Sequence, residues 1–345
     1  MFQESTHSPS SEYAKLLWNG LDINTRKGYK SAVKSYEILC TLNGDTAWPA
    51  TEYTLGKWIT ARAFGSPTAN LGRIKPETIQ SYLAALRSHH IDRGLPTTVF
   101  ESAHIKRLIK GAHNLFSTPK RQRYPITKDI LERILPSLKV ANPIAPTAEE
   151  KDNANVHAAF CLAFSGFLRV GEITHTAREL QSSGAKPKIL LRNNINFSAN
   201  HDTATLLLRR SKTDTTNRGV RIMFARTGGA TCPVASLLHL FKVDIKASNE
   251  LLFRFHTGVF TRTRLLSALS TGLQKIGIQD TGYSGHSFRR GAAQQASDNG
   301  MLHEEIQTLG RWSSAAFQLY FTLSPTRLRH LNFQFQTGII AHSTG

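Results

Sequence analysis

Residues 285–320 read GHSFRRGAAQQASDNGMLHEEIQTLGRWSSAAFQLY. The stretch opens on a His-x-x-Arg unit, His286 and Arg289. It passes through a helix-like segment, turns at Gly310-Arg311-Trp312 and closes on Tyr320. An imidazole, a guanidinium, an indole and a phenol thus fall within one short span. That set suits chemistry on a phosphodiester, with donors for the phosphate oxygens and a hydroxyl able to attack phosphorus. Each piece alone has an ordinary explanation. A His-x-x-Arg pair is commonly one turn of a surface helix, and a tyrosine on an apolar helix commonly belongs to a core. The sequence upstream therefore decides.

Residues 155–167 include VHAAFCLAFSGF, which predicts a buried helix, and run directly into Leu168-Arg169-Val170-Gly171-Glu172-Ile173. An arginine at the edge of such an apolar run needs a fixed anionic partner or an anionic substrate. Glu172 lies three residues on and is placed to orient it, either as a purely structural pair or as part of a site. Three β-like runs follow, at 187–192, 203–210 and 219–225, and predict a small antiparallel sheet. Between the second and third, a polar turn at 211–217 carries Lys212 on a hairpin tip, solvated or reaching into a groove. Helices are predicted at 129–138, capped by Thr127, at 233–242 and at 262–276.

Upstream of residue 118 the pattern is helical throughout. One helix runs from Asn24 with Tyr29, Val33, Tyr36 and Leu39 or Cys40 inward, and stops at Asn43-Gly44. Others are predicted at 54–64, around Leu55, Trp58 and Ile59, at 76–94, burying Ile79, Leu83, Leu86 and His90 or Ile91, and at 100–116. The expectation is a four-helix domain spanning 11–117, after a disordered Ser/Pro/Thr-rich start at 1–10. Residues 118–126 have Pro at both ends, with Lys120, Arg121 and Arg123 and no acidic residue, and read as a basic interdomain linker. The second domain is expected at 127–325. In the tail, 326–345, Leu328, Leu331 and Phe335 at helical spacing suggest docking on another copy.

Composition narrows the partner. The 345 residues include 43 Lys and Arg against 24 Asp and Glu, a net charge of +19 with a pI near 10.1. Such an excess points to a polyanion, most simply nucleic acid. Up to Phe116 there are 14 basic and 9 acidic residues, so most of the excess lies further on. No polybasic amphipathic helix or long apolar run argues for a membrane, and no signal peptide is evident. Cys40, Cys161 and Cys232 are too far apart for a metal or redox motif and are expected as reduced thiols.

Taken together, the segments resemble the tyrosine recombinase (phage integrase) family, in the family's own order. FSGFLRVGEI resembles its first arginine motif, with Arg169 and Glu172. RRSKTD resembles its lysine hairpin, with Lys212. GHSFRRGAA resembles its His-x-x-Arg box, and LGRWSSAAFQLYF its final motif, with Trp312 and the nucleophile Tyr320. TRKGYKSAVKSYEILC and ETIQSYLAALRSHHIDRGLP are similar to the helical core-binding domain that precedes the catalytic one. The wording of the last two motifs is most similar to recombinases of eukaryotic mobile elements, the Crypton and DIRS-like groups. One departure stands out. The family has His or Trp nine residues before the tyrosine, whereas here Arg311 holds that spacing and Trp312 is eight before it. Trp312 is the expected occupant, through a one-residue contraction, with Arg311 as the alternative.

The resemblance implies a mainly α fold with a small antiparallel β-sheet: a helical core-binding domain plus an α+β catalytic domain. It implies double-stranded DNA as partner, a homo-tetramer on two DNA sites with a dimer per site, and no metal or cofactor. It assigns Arg169, Lys212, His286, Arg289, Trp312 and Tyr320 to catalysis and Glu172 to orientation. Arg26, Lys27, Lys30, Arg87, Lys106, Lys120, Arg121 and Arg123 are candidate DNA contacts. The expected reaction is cleavage and rejoining of DNA through a 3′-phosphotyrosyl link and a Holliday junction, for integration or excision of a mobile element. The expected location is the nucleus of a eukaryotic host, or otherwise the cell interior. A type IB topoisomerase-like enzyme and a catalytically silent DNA-binding protein are the other readings.

Overall fold

The structure is a computed structural model. It describes residues 11–119, 122–181, 189–209 and 219–314, together with Gln318 and Arg329. The chain divides into two compact units, Met1–Lys120 and Arg121–Gly345. Among the described residues no helix is long and apolar enough to cross a membrane. The expectations for residues 1–10, for Lys120, Arg121, Lys212 and Tyr320, and for the tail after 325 fall outside the described residues, Arg329 apart.

The first unit has α1 (Glu12–Asn19), α2 (Ile23–Leu42), α3 (Glu52–Phe64), α4 (Pro76–Asp92) and α5 (Ala103–Phe116). That is five α-helices where four were expected. The additional one, α1, is capped by Ser11, whose hydroxyl accepts from the Ala14 N–H. The predicted 100–116 helix is a 3-10 turn, Thr98–Glu101, followed by α5 capped at Ser102. The core gathers Tyr36, Leu55, Trp58, Ile79 and Leu86. Between His90 and Ile91, the histidine is the buried one. Its Nε2 accepts from the Ala50 N–H at 3.1 Å, so its Nδ1–H donates to the Pro96 carbonyl at 2.6 Å, and both ring nitrogens are satisfied.

Arg26, expected as a DNA contact, is engaged within the first unit. Its guanidinium donates to the carbonyls of Leu17 and Trp18, stacks over the Trp18 ring and pairs with Asp92 at 3.1 Å. It satisfies carbonyls at the end of α1 that the helix itself leaves without donors, and is therefore a structural cap.

The second unit starts with α6 (Lys128–Ile134), capped by Thr127 as expected. The α-helix does not reach 138. Residues Leu135–Leu138 form a 3-10 turn, because Pro136 has no N–H to donate. The buried helix is α7 (Ala148–Ser165), which begins seven residues before the expected 155. A Thr147/Glu150 capping box starts it, and its polar first turns hid that start in the sequence. Short helices α8 (Val170–Ile173) and α9 (Ala177–Gln181) follow.

The sheet is antiparallel in the order β1 (Ile195–Phe197), β2 (Thr203–Leu208), β3 (Val220–Ala225). Its first strand is not the predicted 187–192. Ile189 and Leu190 are both buried, and the segment after them bonds to residues 250–252 instead: Leu252 N–H donates to Leu190 O, and Arg192 N–H to Glu250 O. On β2, Ala204, Leu206 and Leu208 point into the core. The described residues continue with α10 (Pro233–Val243), α11 (Arg262–Lys275), α12 (Ser287–Asp298) and α13 (His303–Gly310). The helix-like segment of 285–310 is thus two helices, broken at Gly300, whose φ of 79° favours glycine.

Residues 122–126 form an extended strip held to α12 and the loop before it. Tyr124 N–H donates to Gly282 O and Ile126 N–H to Ser287 O. The strip lies so close that a Cβ on Gly291 would stand 1.7 Å from the Ile126 carbonyl oxygen. Gly291→Ala is therefore expected to displace the strip and lower the stability of this unit by about 3 kcal/mol, read as a lower midpoint in denaturant unfolding.

Candidate active site

Helix α7 ends at Gly166, and Phe167 then reverses the chain with φ 49°. That left-handed conformation costs a non-glycine residue about 1 kcal/mol or more. It is held by the Phe167 and Leu168 N–H groups bonding back into α7 and by the complete burial of Leu168. The reversal points the Phe167 carbonyl at two arginines. Arg289 Nη1 donates to it at 2.6 Å and Arg311 Nη2 at 3.4 Å.

Arg169 follows as the N-cap of α8, with Glu172 at the third helical position. The Glu172 carboxylate is shared. Oε1 accepts from Arg169 Nη1 at 2.9 Å, and Oε2 accepts from the Arg169 backbone N–H at 2.9 Å and from Arg311 Nη2 at 3.1 Å. Arg169 keeps 23% of its side chain exposed and Glu172 only 7%.

His286 is the N-cap of α12, and Arg289 lies on that helix's first turn, fully buried. The second nitrogen of Arg289, Nη2, donates to the Gly310 carbonyl, and the Trp312 ring lies 4.2 Å from its guanidinium carbon. A buried guanidinium is thus offset by carbonyl acceptors and a π face. Trp312 can lie there because Gly310 has no side chain: a Cβ would stand 1.5 Å from the indole. Arg311 adopts the left-handed C-cap conformation that ends α13, and its buried Nε and Nη1 have no partner among the described residues.

His286 has a pKa lowered from its ordinary value, first by burial and then by the charges of Arg262, Arg123, Arg169 and Arg289. Among the described residues its buried Nδ1 has no hydrogen-bond partner. Arg169, His286, Arg289, Arg311, Trp312 and Glu172 are therefore brought together. Lys212 and Tyr320 lie outside the described residues. Arg123, expected as a linker contact, stands by His286 as well. Sequence reading missed Arg262, whose signal was a cation in the first turn of a helix, where the dipole disfavours it.

Of the other candidate contacts, Lys27 and Lys30 are exposed on α2. Arg87 and Lys106 are exposed and lie near Glu101, at 3.9 and 3.5 Å. Among the described residues no group of three or more His, Cys, Asp and Glu could hold a metal ion.

No protein-family model and no curated protein sequence matches the chain. Solved structures do. The Tn1549 transposon integrase in complex with transposon right end DNA aligns with a TM-score of 0.56 at 11% identity, over 95% of this chain and 98% of that one. A lambda integrase dimer bound to a COC′ core site gives 0.53 at 16%, over 89% and 74%. XerH site-specific recombinase bound to palindromic difH substrate, in a post-cleavage complex, gives 0.52 at 14%, over 84% and 72%. The likeness is one of fold, and this chain is mainly helical with a small three-stranded antiparallel sheet.

Two outcomes follow from the geometry. Glu172→Ala leaves Arg311 buried without its carboxylate and is expected to cost about 3 kcal/mol in unfolding free energy, whereas a charge swap on exposed Lys27 costs little. In an NMR titration His286 is expected to protonate below the usual histidine range. Because the folded state binds that proton more weakly than the unfolded chain, the resulting contribution to stability is present above the ordinary pKa of 6.5 and is lost as pH falls below it.

Proposed function

We propose that the protein is a tyrosine-type site-specific DNA recombinase. The observation that carries this reading is the meeting, within this fold, of Arg169 on its carboxylate with His286 and Arg289 from a second, distant stretch of sequence, Arg289 being held by the Phe167 carbonyl. In the proposed reaction the Tyr320 hydroxyl attacks the scissile phosphorus. A phosphotyrosyl bond forms at the 3′ side, and the P–O bond to the 5′ oxygen breaks. Arg169 and Arg289 bind the non-bridging oxygens as charge builds on them, and Arg169 is held for this by Glu172. Lys212 gives a proton to the departing 5′ oxygen.

A phenol is a weak nucleophile at neutral pH, so its proton needs an acceptor. His286 fits that role because its lowered pKa keeps the imidazole neutral. The phosphotyrosine conserves the bond energy, so attack by a 5′ hydroxyl from a second duplex rejoins the strands without ATP. Exchange then passes through a Holliday junction in a homo-tetramer on two DNA sites, with residues 326–345 docking on a neighbouring copy. Lys27, Lys30, Arg87 and Lys106 of the helical unit serve as backbone contacts in this reading. Integration or excision of a mobile element of the Crypton or DIRS-like kind accords with the GHSFRRGAA and LGRWSS wording.

Arg311 and Trp312 divide the place that one residue holds in the family. Trp312 covers Arg289, while Arg311 braces Glu172 and so Arg169. In this reading Trp312 holds Arg289 in place at the phosphate and Arg311 is a positioning residue.

The test is a nicked suicide duplex carrying the ends of the element, incubated with wild type and with Tyr320→Phe and resolved on a denaturing gel. A covalent protein–DNA band from wild type that Tyr320→Phe abolishes is expected. Arg169→Ala should slow its formation by roughly a hundredfold or more. A band that survives Tyr320→Phe removes Tyr320 as nucleophile. Binding without any band, across a library of candidate sites, favours a silent DNA-binding protein.

A further inference from the structure

Arg123 and Arg262 are not accounted for by the mechanism above. Both are exposed, and among the described residues neither side chain has a hydrogen bond or ion pair. Arg123 and Arg262 add to the positive charge that Arg169 and Arg289 already direct at His286. The two backbone bonds that fasten residues 122–126 fix the position of Arg123. Arg262 is the first residue of α11, behind the Thr261 cap, where the helix dipole is already positive and no acidic residue offsets it. Its guanidinium packs on the backbone of Gly285: a Cβ there would stand 3.3 Å from Nη2. Gly285 leads directly into His286. Both arginines act on the His286 ring, Arg262 more than Arg169 or Arg289.

The cations around His286 lie at two depths. Arg289 is 1% exposed and held by protein carbonyls, whereas Arg123 and Arg262 are open to solvent. A single phosphate in contact with Arg169 and Arg289 does not account for the outer pair. We propose that Arg123 and Arg262 form an outer subsite for a second backbone phosphate, next to the one held by Arg169, His286 and Arg289. The ligand is a phosphodiester of the DNA strand, bound by the exposed guanidiniums with the positive end of α11 behind Arg262. The subsite deepens the recombinase reading and rests on it only for the identity of the inner phosphate.

The test separates the two. A short fluorescent duplex of mixed sequence is titrated with NaCl, and the slope of log affinity against log salt counts the phosphates neutralised. Arg262→Gln is expected to reduce the slope by about one, and Arg262→Lys to restore most of it. Arg123→Gln should do the same. The double variant should lose about one and not two, since both side chains serve one phosphate. An unchanged slope in the single variants, with unaltered melting curves, overturns the subsite, and a loss of about two in the double variant overturns its shared character.

In the free protein, Arg262→Gln should also raise the His286 pKa measured by NMR, and no change would remove Arg262 from the rim of that ring. The suicide-duplex gel, run on the same wild-type protein, reports on the recombinase reading alone. Absence of a covalent band together with the slope loss would leave the subsite standing and the recombinase reading overturned. A band with no slope loss would do the reverse.

Discussion

The Phe167 carbonyl oxygen is the point on which the second unit's site depends. It belongs to the turn that ends α7, it accepts from Arg289 on α12, and it lies within reach of Arg311 at the end of α13. Three segments far apart in sequence meet at one lone-pair region. The carbonyl is aimed there because Phe167 takes a left-handed conformation that a non-glycine residue adopts only under constraint. Here the constraint is the packing of Leu168 and of α7 itself, whose residues 158–163 are completely buried. The rigid core thus fixes the acceptor, and the acceptor fixes the arginine.

The electrostatics follow from that arrangement. Arg169 and Arg311 share one carboxylate, and Arg289 is held by neutral carbonyls and an aromatic face. Glu172 cannot neutralise all three, and Arg123 and Arg262 add charge at the rim. The surplus depresses the basicity of His286, in the same direction as its burial. A site with a surplus of guanidinium and a neutral imidazole is poised to receive an anion and then take up a proton. The basic bias of the chain beyond Phe116 has its local counterpart here.

How much of this was legible in the sequence varied with the kind of signal. Arg169, Glu172, His286 and Arg289 could be singled out because each sits at the edge of an apolar or glycine-marked run. The helix starts were harder. The polar first turns of α7 conceal a capping box, and α1 is too short to show a clear period. Strand β1 was missed because three residues flanked by Asn carry little alternation, whereas Ile189 and Leu190 look like a strand but are both buried among other elements. Arg26 and Arg262 show why charge alone misleads. The first caps a helix with Nε and Nη2 and pairs with Asp92 through Nη1, and the second, in an unremarkable polar stretch, reaches the site through contact with Gly285. Neither outcome has a one-dimensional signature, since both depend on where a neighbouring backbone passes.

The Arg311-Trp312 pair shows how one turn sends neighbouring side chains to different partners. Counting back from Tyr320 forces a choice of one residue, but the left-handed turn at Arg311 places successive side chains on different partners. Arg311 turns to Glu172 and Trp312 folds back over Gly310 onto Arg289. A right-handed residue at 311 would carry the chain on along α13 and separate the indole from Arg289. Glycine at 310 is required for the same reason, because any side chain would occupy the place of the ring. The turn at Arg311 thus delivers one guanidinium to Glu172 and one indole to Arg289.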